Sequence, residues 1–226
     1  MTNIIIAAGI ALLIGMVGTP IWIRIVNRLG YGQMIREEGP SGHHGKRGTP
    51  TMGGAVFIVG SLVGYAAAHL FTGTAPTVSG VLVLFLMAGL GLVGFVDDYI
   101  KVFKQRSLGL RSGAKMIGII LVGVVFAIAA LNFPNGYDIT PAGPYLSFLR
   151  DFGPPIGPYL FVVWALLLIA AMSNGVNLTD GLDGLAAGPC AMVLAAYVII
   201  GNWQLRNSCY DFALAPNCYS VRDPLD

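Results

Sequence analysis

Long apolar stretches, separated by polar segments, recur along the whole of this chain of 226 residues. They cover residues 4–25, 52–71, 78–96, 116–131, 159–172 and 186–200. About 20 residues of α-helix cross the ~30 Å hydrocarbon core of a bilayer, so each stretch is a candidate membrane span. The sequence therefore predicts an all-α, polytopic helical bundle, organised as one transmembrane domain over residues 1–226.

The composition excludes an ordinary soluble domain. Only 11% of the residues are charged, against about 25% in a typical soluble protein. The net charge is +2, and the absence of a basic stripe argues against nucleic acid as a partner. Glycines at positions 60 and 64 have the spacing that lets membrane helices pack closely, which predicts a helix-packing face there.

The basic residues predict the orientation of the spans. Ten of the 13 lysine and arginine residues fall in residues 24–51 and 97–115, which lie on one side of the membrane if the spans alternate. The positive-inside rule places this side in the cytoplasm and the N-terminus outside. Residues 173–184 are then cytoplasmic as well, and residues 132–158 and 201–226 are external.

The external stretch 201–226 contains Cys209 and Cys218, which could form a disulfide there. The stretch resembles a loop cut before a seventh span. We therefore expect the chain to be a fragment of a longer protein.

Asp97 and Asp98 follow the third apolar stretch directly. Charge at the end of a span is costly unless it is solvated or functional. Adjacent helical residues point about 100° apart, so the two carboxylates should not share one small site symmetrically. One could bind a metal while the other handles a proton or a phosphate. The alternative is a solvated helix end, with Lys101 and Lys104 as neighbours at helical spacing.

A second acidic motif lies between the fifth and sixth stretches. Asn177, Asp180 and Asp183 recur at every third residue, with glycines at 181 and 184. On a helix they would line one face, whereas in a loop the backbone amides could meet an anion. Oxygen-bearing side chains with no nearby cation favour Mg²⁺ or sugar hydroxyls. The alternative is a solvated loop that connects two spans.

A third, cationic motif precedes the second stretch, with Lys46 and Arg47 followed by the hydroxyls of Thr49 and Thr51 and by two glycines. Cations, hydroxyls and exposed amides suit a phosphate, although the order of a Walker P-loop is absent. The alternative is a basic membrane anchor. All three motifs fall on the cytoplasmic side, which favours a site where Mg²⁺ and cationic side chains bind a phosphorylated substrate.

Together the three motifs resemble phospho-N-acetylmuramoyl-pentapeptide-transferases. The matching residues are KRGTPTMGG at 46–54, GFVDDYIKV at 94–102 and NLTDGLDGLA at 177–186. Gly109, Leu110 and Lys115 also follow the paired acids at the distance found in that family. The resemblance covers nearly the whole chain, in order.

The resemblance implies a ten-span fold, of which about six spans are present. It also implies Mg²⁺ and transfer of phospho-N-acetylmuramoyl-pentapeptide from its UDP-linked donor to undecaprenyl phosphate, which gives lipid I and UMP at the inner face of the bacterial plasma membrane. A homodimer is an assembly that it allows.

The resemblance also assigns roles to individual residues. The expected catalytic residues are Asp98, Asp97 and Asp180, with Asp97 and Asp180 near the metal. The expected substrate-binding residues are Lys46, Thr49, Thr51, Lys101, Lys115, Asn177 and Asp183.

Further spans, another metal-binding aspartate and a histidine-rich loop of that family do not appear in these 226 residues. If these 226 residues are the complete product, we expect little or no activity.

Two other classes of membrane protein use intramembrane carboxylates. An ion-coupled transporter needs them near the bilayer midplane, and an intramembrane aspartyl protease needs two that share a proton. A purely structural membrane fragment is the remaining alternative.

Overall fold

The computed structural model describes residues 2–30, 32, 50–104, 109–147, 151–152, 154–180, 184–209, 218 and 222–223. Within them six helices form: α1 (Thr2–Arg28), α2 (Gly54–Thr72), α3 (Val78–Phe103), α4 (Ser112–Ala130), α5 (Pro158–Thr179) and α6 (Ala187–Arg206). Each is long and apolar enough to cross a membrane, and each exposes large apolar side chains, as a lipid-covered surface would. The predicted all-α polytopic membrane fold is confirmed.

The helices agree with the predicted stretches to within four residues, except at the ends of α3, α5 and α6, which continue further. Hydropathy stops at the first charged or polar residues, but α3 continues to Phe103 and α5 continues to Thr179. The additional turns of α3 contain Asp97, Asp98 and Lys101, whose side chains pair along the helix. The segment 173–184, between the fifth and sixth apolar stretches, is therefore helical in its first half.

The helices α1 and α2 pack through small residues, as the glycine spacing predicted. A Cβ on Gly64 would stand 2.5 Å from the carbonyl oxygen of Ala7, and one on Gly60 would stand 3.2 Å from that of Ala11. The absence of side chains therefore sets how closely the two helices approach. The helix α1 also continues through Pro20.

Contacts divide the chain into two compact units, Met1–Pro76 with Leu84–Val122 and Thr77–Val83 with Gly123–Asp226. The single-domain organisation stays a prediction. In the second unit, Gly123 of α4 packs against Leu166 and Ile169 of α5. The α4–α5 connection contains two short antiparallel strands, β1 (Leu146–Ser147) and β2 (Asp151–Phe152).

Beyond α6, Cys209 and Cys218 form a disulfide with their Cα atoms 4.8 Å apart. The sequence left this pairing open, and the structure settles it. The disulfide closes a short loop, because the two cysteines are nine residues apart.

Candidate active site

The last turns of α3 bring two carboxylates to one ammonium group. The Nζ of Lys101 lies 2.8 Å from Oδ2 of Asp97 and 2.9 Å from Oδ1 of Asp98. Helical geometry explains the convergence, because residues three and four apart lie on the same face. The sequence analysis expected the two acids to point in different directions, because adjacent helical residues do. It did not foresee that the long side chain of Lys101 can contact both carboxylates.

Asp97 is held from a second direction by the segment before α4. The backbone N–H of Leu110 donates to Oδ1 of Asp97 at 2.7 Å, and Asp97 as a whole is only 8% exposed. Gly109 lies against the same aspartate, and a Cβ there would stand 2.5 Å from the Asp97 carbonyl oxygen and closer still to the carboxylate. Both oxygens of this carboxylate therefore have partners.

Asp98 has a different environment. Its side chain is 40% exposed, against 11% for that of Asp97. Lys115, in the first turn of α4, adds a second positive charge that acts on Asp97. The site thus combines an anchored carboxylate, an accessible carboxylate and two cations, which can bind an anionic group beside a group that accepts protons or metal.

Two stacked aromatic contacts flank the pair on α3. The rings of Phe95 and Tyr99 are 6.4 Å apart, and those of Tyr99 and Phe103 are 5.5 Å apart. The three residues are one helical turn apart and form a stripe beside Asp98.

The cationic motif is described only from Pro50 onward, so Lys46 and Thr49 lie outside the described residues. Thr51 accepts a hydrogen bond at its carbonyl oxygen from Nε1 of Trp22, at 3.2 Å. Its own hydroxyl is buried without a hydrogen-bond partner among the residues that the structure describes. A buried hydroxyl in this state suits a ligand's polar atom.

The next residue, Met52, has a φ of 62°. Backbone strain of this kind, rare in a residue that is not glycine, is common at ligand-binding segments. The helix α2 begins just after it.

The second acidic motif lies at the end of α5. Asn177 is in its last turn, and Asp180 ends the helix, with its backbone N–H bonded to the carbonyl of Val176. Both residues are exposed. Asp183 lies outside the described residues, so the one-face arrangement of the three residues stays a prediction.

The structure thus brings Asp97, Asp98 and Lys101 together, with Lys115 close enough to act on Asp97. In the part of the chain that the structure describes, no three His, Cys, Asp or Glu side chains form a metal cluster. A metal held by Asp97 and Asp180 therefore stays a prediction.

The sequence analysis did not foresee the contact of the Leu110 amide with Asp97, because every residue type except proline has a backbone donor. The sequence signal for this contact is Gly109, because a side chain there would collide with Asp97.

The geometry bears on the two alternative classes. The carboxylates lie in the last turns of α3, whereas a transporter needs them near the middle of a span. Two carboxylates that share a proton must contact each other, whereas each of these contacts Lys101. Both observations disfavour the alternatives.

The fold and the site together describe a polytopic membrane protein that carries paired acids and lysines at the end of a helix. The sequence profile described as glycosyl transferase family 4 matches residues 80–219, which is more than half of the chain. The chain belongs to this family. A second profile, signature 1 of phospho-N-acetylmuramoyl-pentapeptide-transferase, matches residues 46–58. The predicted resemblance is therefore confirmed.

Curated relatives extend the similarity along the whole chain. A phospho-N-acetylmuramoyl-pentapeptide-transferase of Thermobifida fusca is 64% identical over 226 residues, which are all of this chain and 64% of the relative. Proteins of the same name from Streptomyces avermitilis and Kineococcus radiotolerans are each 56% identical, over 64% and 65% of their length. The chain thus spans just under two thirds of the length of these curated relatives.

Proposed function

We propose that the protein transfers phospho-N-acetylmuramoyl-pentapeptide from its UDP-linked donor to undecaprenyl phosphate, giving lipid I and UMP. The observation that carries this proposal is the 64% identity to the Thermobifida fusca transferase along the entire chain. The paired acids at the end of α3 support it, because the lipid's phosphate must react where the bilayer meets water.

The reaction forms one bond and breaks one. An oxygen of the lipid phosphate bonds to the phosphorus that carries the sugar, and the bond from that phosphorus to UMP breaks. In this proposal Asp98, the more exposed of the two acids, acts in one of two ways. It takes the proton from the lipid phosphate, or it attacks the sugar-bearing phosphorus and expels UMP, after which the lipid phosphate displaces the carboxylate. Phosphate is already a competent nucleophile, so positioning and charge neutralisation should supply most of the rate.

Cationic and hydroxyl side chains would hold the two anionic substrates. Lys101 already lies beside Asp98. The hydroxyl of Thr51, buried without a hydrogen-bond partner among the described residues, supports a substrate contact in the cationic motif. The remaining proposed substrate-binding residues are Lys46, Thr49, Lys115, Asn177 and Asp183.

Mg²⁺ is the proposed cofactor, with Asp97 and Asp180 as its protein ligands. Mg²⁺ is commonly bound through one or two carboxylates and the substrate's phosphates. Both residues supply the carboxylate that this chemistry needs: the Asp97 carboxylate already lies beside one positive charge, the Lys101 ammonium, and Asp180 is exposed at the end of α5. A bound ion would offset the negative charge of the diphosphate.

The proposed orientation places the site at the cytoplasmic face of the bacterial plasma membrane and the N-terminus outside. The basic residues concentrated in residues 24–51 and 97–115 support it. The disulfide between Cys209 and Cys218 gives independent support. It follows α6, on the side where α1 begins if the six helices alternate, and disulfides persist in oxidising compartments.

The test uses membranes that contain the protein expressed from its complete gene. Radiolabelled UDP-N-acetylmuramoyl-pentapeptide and undecaprenyl phosphate are added, and the labelled lipid product and UMP are measured together. We expect the two products in equal amounts, their loss on chelation by EDTA, and recovery with Mg²⁺. Absence of labelled lipid with both substrates and Mg²⁺ present would overturn the proposal, and transfer that is insensitive to EDTA would remove the metal from it.

A further inference from the structure

We propose that the turn at Gly109 and Leu110 is a positioning element that fixes Asp97 and, through Asp97 and Lys101, aims Asp98 at the reacting phosphates. The catalytic half of this inference rests on the proposed function. The structural half, the immobilisation of Asp97, can be tested without any turnover.

The first step is the way Asp97 is held. Its Oδ1 accepts the Leu110 N–H at 2.7 Å, and its Oδ2 contacts the Lys101 ammonium at 2.8 Å. Partners on both oxygens resist rotation of the carboxylate about its last side-chain bond. At 8% exposure, little of the residue meets solvent. Asp97 is therefore an anchor rather than the group that substrate reaches first.

The second step explains why a glycine precedes the donor. The chain at Gly109 passes so close to Asp97 that a Cβ would stand 2.5 Å from its carbonyl oxygen. Real Cβ atoms essentially never show such a distance, so the turn or the aspartate would have to move. Because the backbone of Gly109 has no positive φ, an alanine there tests crowding rather than backbone strain.

The third step is the relay to Asp98. Lysine is a flexible side chain that loses rotamer entropy when it is fixed. The contact with anchored Asp97 holds the Lys101 ammonium in place, and the same ammonium lies 2.9 Å from Asp98. Asp98 is thereby oriented while its side chain stays 40% exposed. The turn, Asp97 and Lys101 are positioning groups, and Asp98 is the residue that substrate meets.

The experiment compares Gly109→Ala with Gly113→Ala, a neighbouring glycine whose Cβ would meet nothing within 4 Å. The first readout is labelling of carboxylates by a water-soluble carbodiimide and an amine, located by mass spectrometry. In the unmodified protein and in Gly113→Ala we expect label on Asp98 and protection of Asp97. In Gly109→Ala we expect Asp97 to become labelled.

The second readout is the transfer reaction. For Gly109→Ala we expect kcat to fall about 100-fold, as a misplacement of about 1 Å can produce. The KM values for both substrates should change little, because the variant leaves Lys115 and the cationic motif untouched. A rise in KM at unchanged kcat, or an equal loss in Gly113→Ala, would contradict a positioning role.

A second pair of variants tests the amide itself. Leu110→Pro removes the N–H, and Leu110→Ala keeps it. We expect Leu110→Pro to reproduce both effects of Gly109→Ala. We expect Leu110→Ala to keep Asp97 protected from labelling and to keep kcat within a few-fold of the unmodified protein. If Asp97 stays protected in both Gly109→Ala and Leu110→Pro, the inference is wrong. If the unmodified protein makes no labelled lipid, the proposed function fails, and the labelling result stands on its own.

Discussion

The helix α3 carries a polar cluster at each end, and the two clusters are built differently. Near its start, Asp223 accepts a hydrogen bond from the Ser79 hydroxyl at 2.7 Å and pairs with Arg222. Arg222 also donates through Nε to the carbonyl of Phe133, and its own carbonyl accepts from Asn135. One cation faces one anion, and their side chains are only 10% and 17% exposed.

Near the other end of α3, two carboxylates share the ammonium of Lys101, and Asp98 remains 40% exposed. The first cluster is matched in charge and closed to solvent, so it has little left to offer a ligand. The second keeps an accessible carboxylate beside cations. The difference indicates that the first cluster stabilises the fold and that the second is available for chemistry.

Of the changes to the two clusters, removal of the charge of Asp98 should have the largest effect, a loss of activity. We expect Asp98→Asn to lower kcat about 1,000-fold, because an amide can neither accept the lipid phosphate's proton nor attack a diphosphate. Folding should be preserved, since Lys101 keeps its contact with Asp97. The measurement is lipid I formation at saturating substrates, and Asp138→Asn, at an exposed aspartate elsewhere, is the matched control. Activity of Asp98→Asn within tenfold of the control would exclude Asp98 as the reacting group.

In the closed cluster the corresponding change should affect stability and leave kcat unchanged. Arg222→Ala leaves Asp223 largely buried without its cation, which should lower the free energy of unfolding by about 3 kcal/mol. Arg206→Ala is the matched control, because Arg206 bonds only within α6, to Asn202, among the contacts that the structure describes. The measurement is unfolding of detergent-solubilised protein by SDS titration. Equal midpoints for the two variants would show that the Arg222–Asp223 pair contributes nothing.

The two ends of α3 also show what the sequence could predict. Hydropathy located all six spans, but it placed the end of the third at residue 96, because it counts charge as a break. It could not include the pairing of Asp97 and Asp98 with Lys101, which stabilises further helical turns. The helix α5 likewise continues past its apolar stretch, and there Asn174 and Thr179 donate to carbonyls of the preceding turn, contacts that hydropathy does not register.

The candidate site was predictable in its side chains and not in its backbone partners. The adjacent acids and the lysine four residues on were evident from residue type and helical spacing. The Leu110 amide lies 13 residues further along, outside α3, and every residue except proline has such a donor. Likewise, the contact of Asp223 with Ser79 joins residues 144 positions apart, which no local pattern encodes.

Loss of the disulfide should have a smaller effect than loss of the Arg222 charge. The nine-residue separation of Cys209 and Cys218 corresponds to about 2–3 kcal/mol of stabilisation in the chain-entropy account. We expect Cys209→Ser with Cys218→Ser to lower the unfolding free energy by that amount without changing kcat. Cys190→Ser, at a free and exposed cysteine, is the control. A double variant as stable as Cys190→Ser would refute a stabilising disulfide, and a loss of kcat would show that this segment also affects the chemistry.

The smallest effect tests whether the closed cluster acts as one unit. Ser79→Ala removes a 2.7 Å hydrogen bond to Asp223, which should cost about 1 kcal/mol in SDS unfolding. Ser61→Ala is its control, because that hydroxyl bonds only to Phe57 of its own helix among the contacts described. Combined with Arg222→Ala, the Ser79 effect should depart from additivity, because both groups act on the same carboxylate oxygen. Strictly additive losses of unfolding free energy would mean that Ser79 and Arg222 stabilise Asp223 independently. The contrast between the closed and the open cluster would then rest on solvent exposure alone.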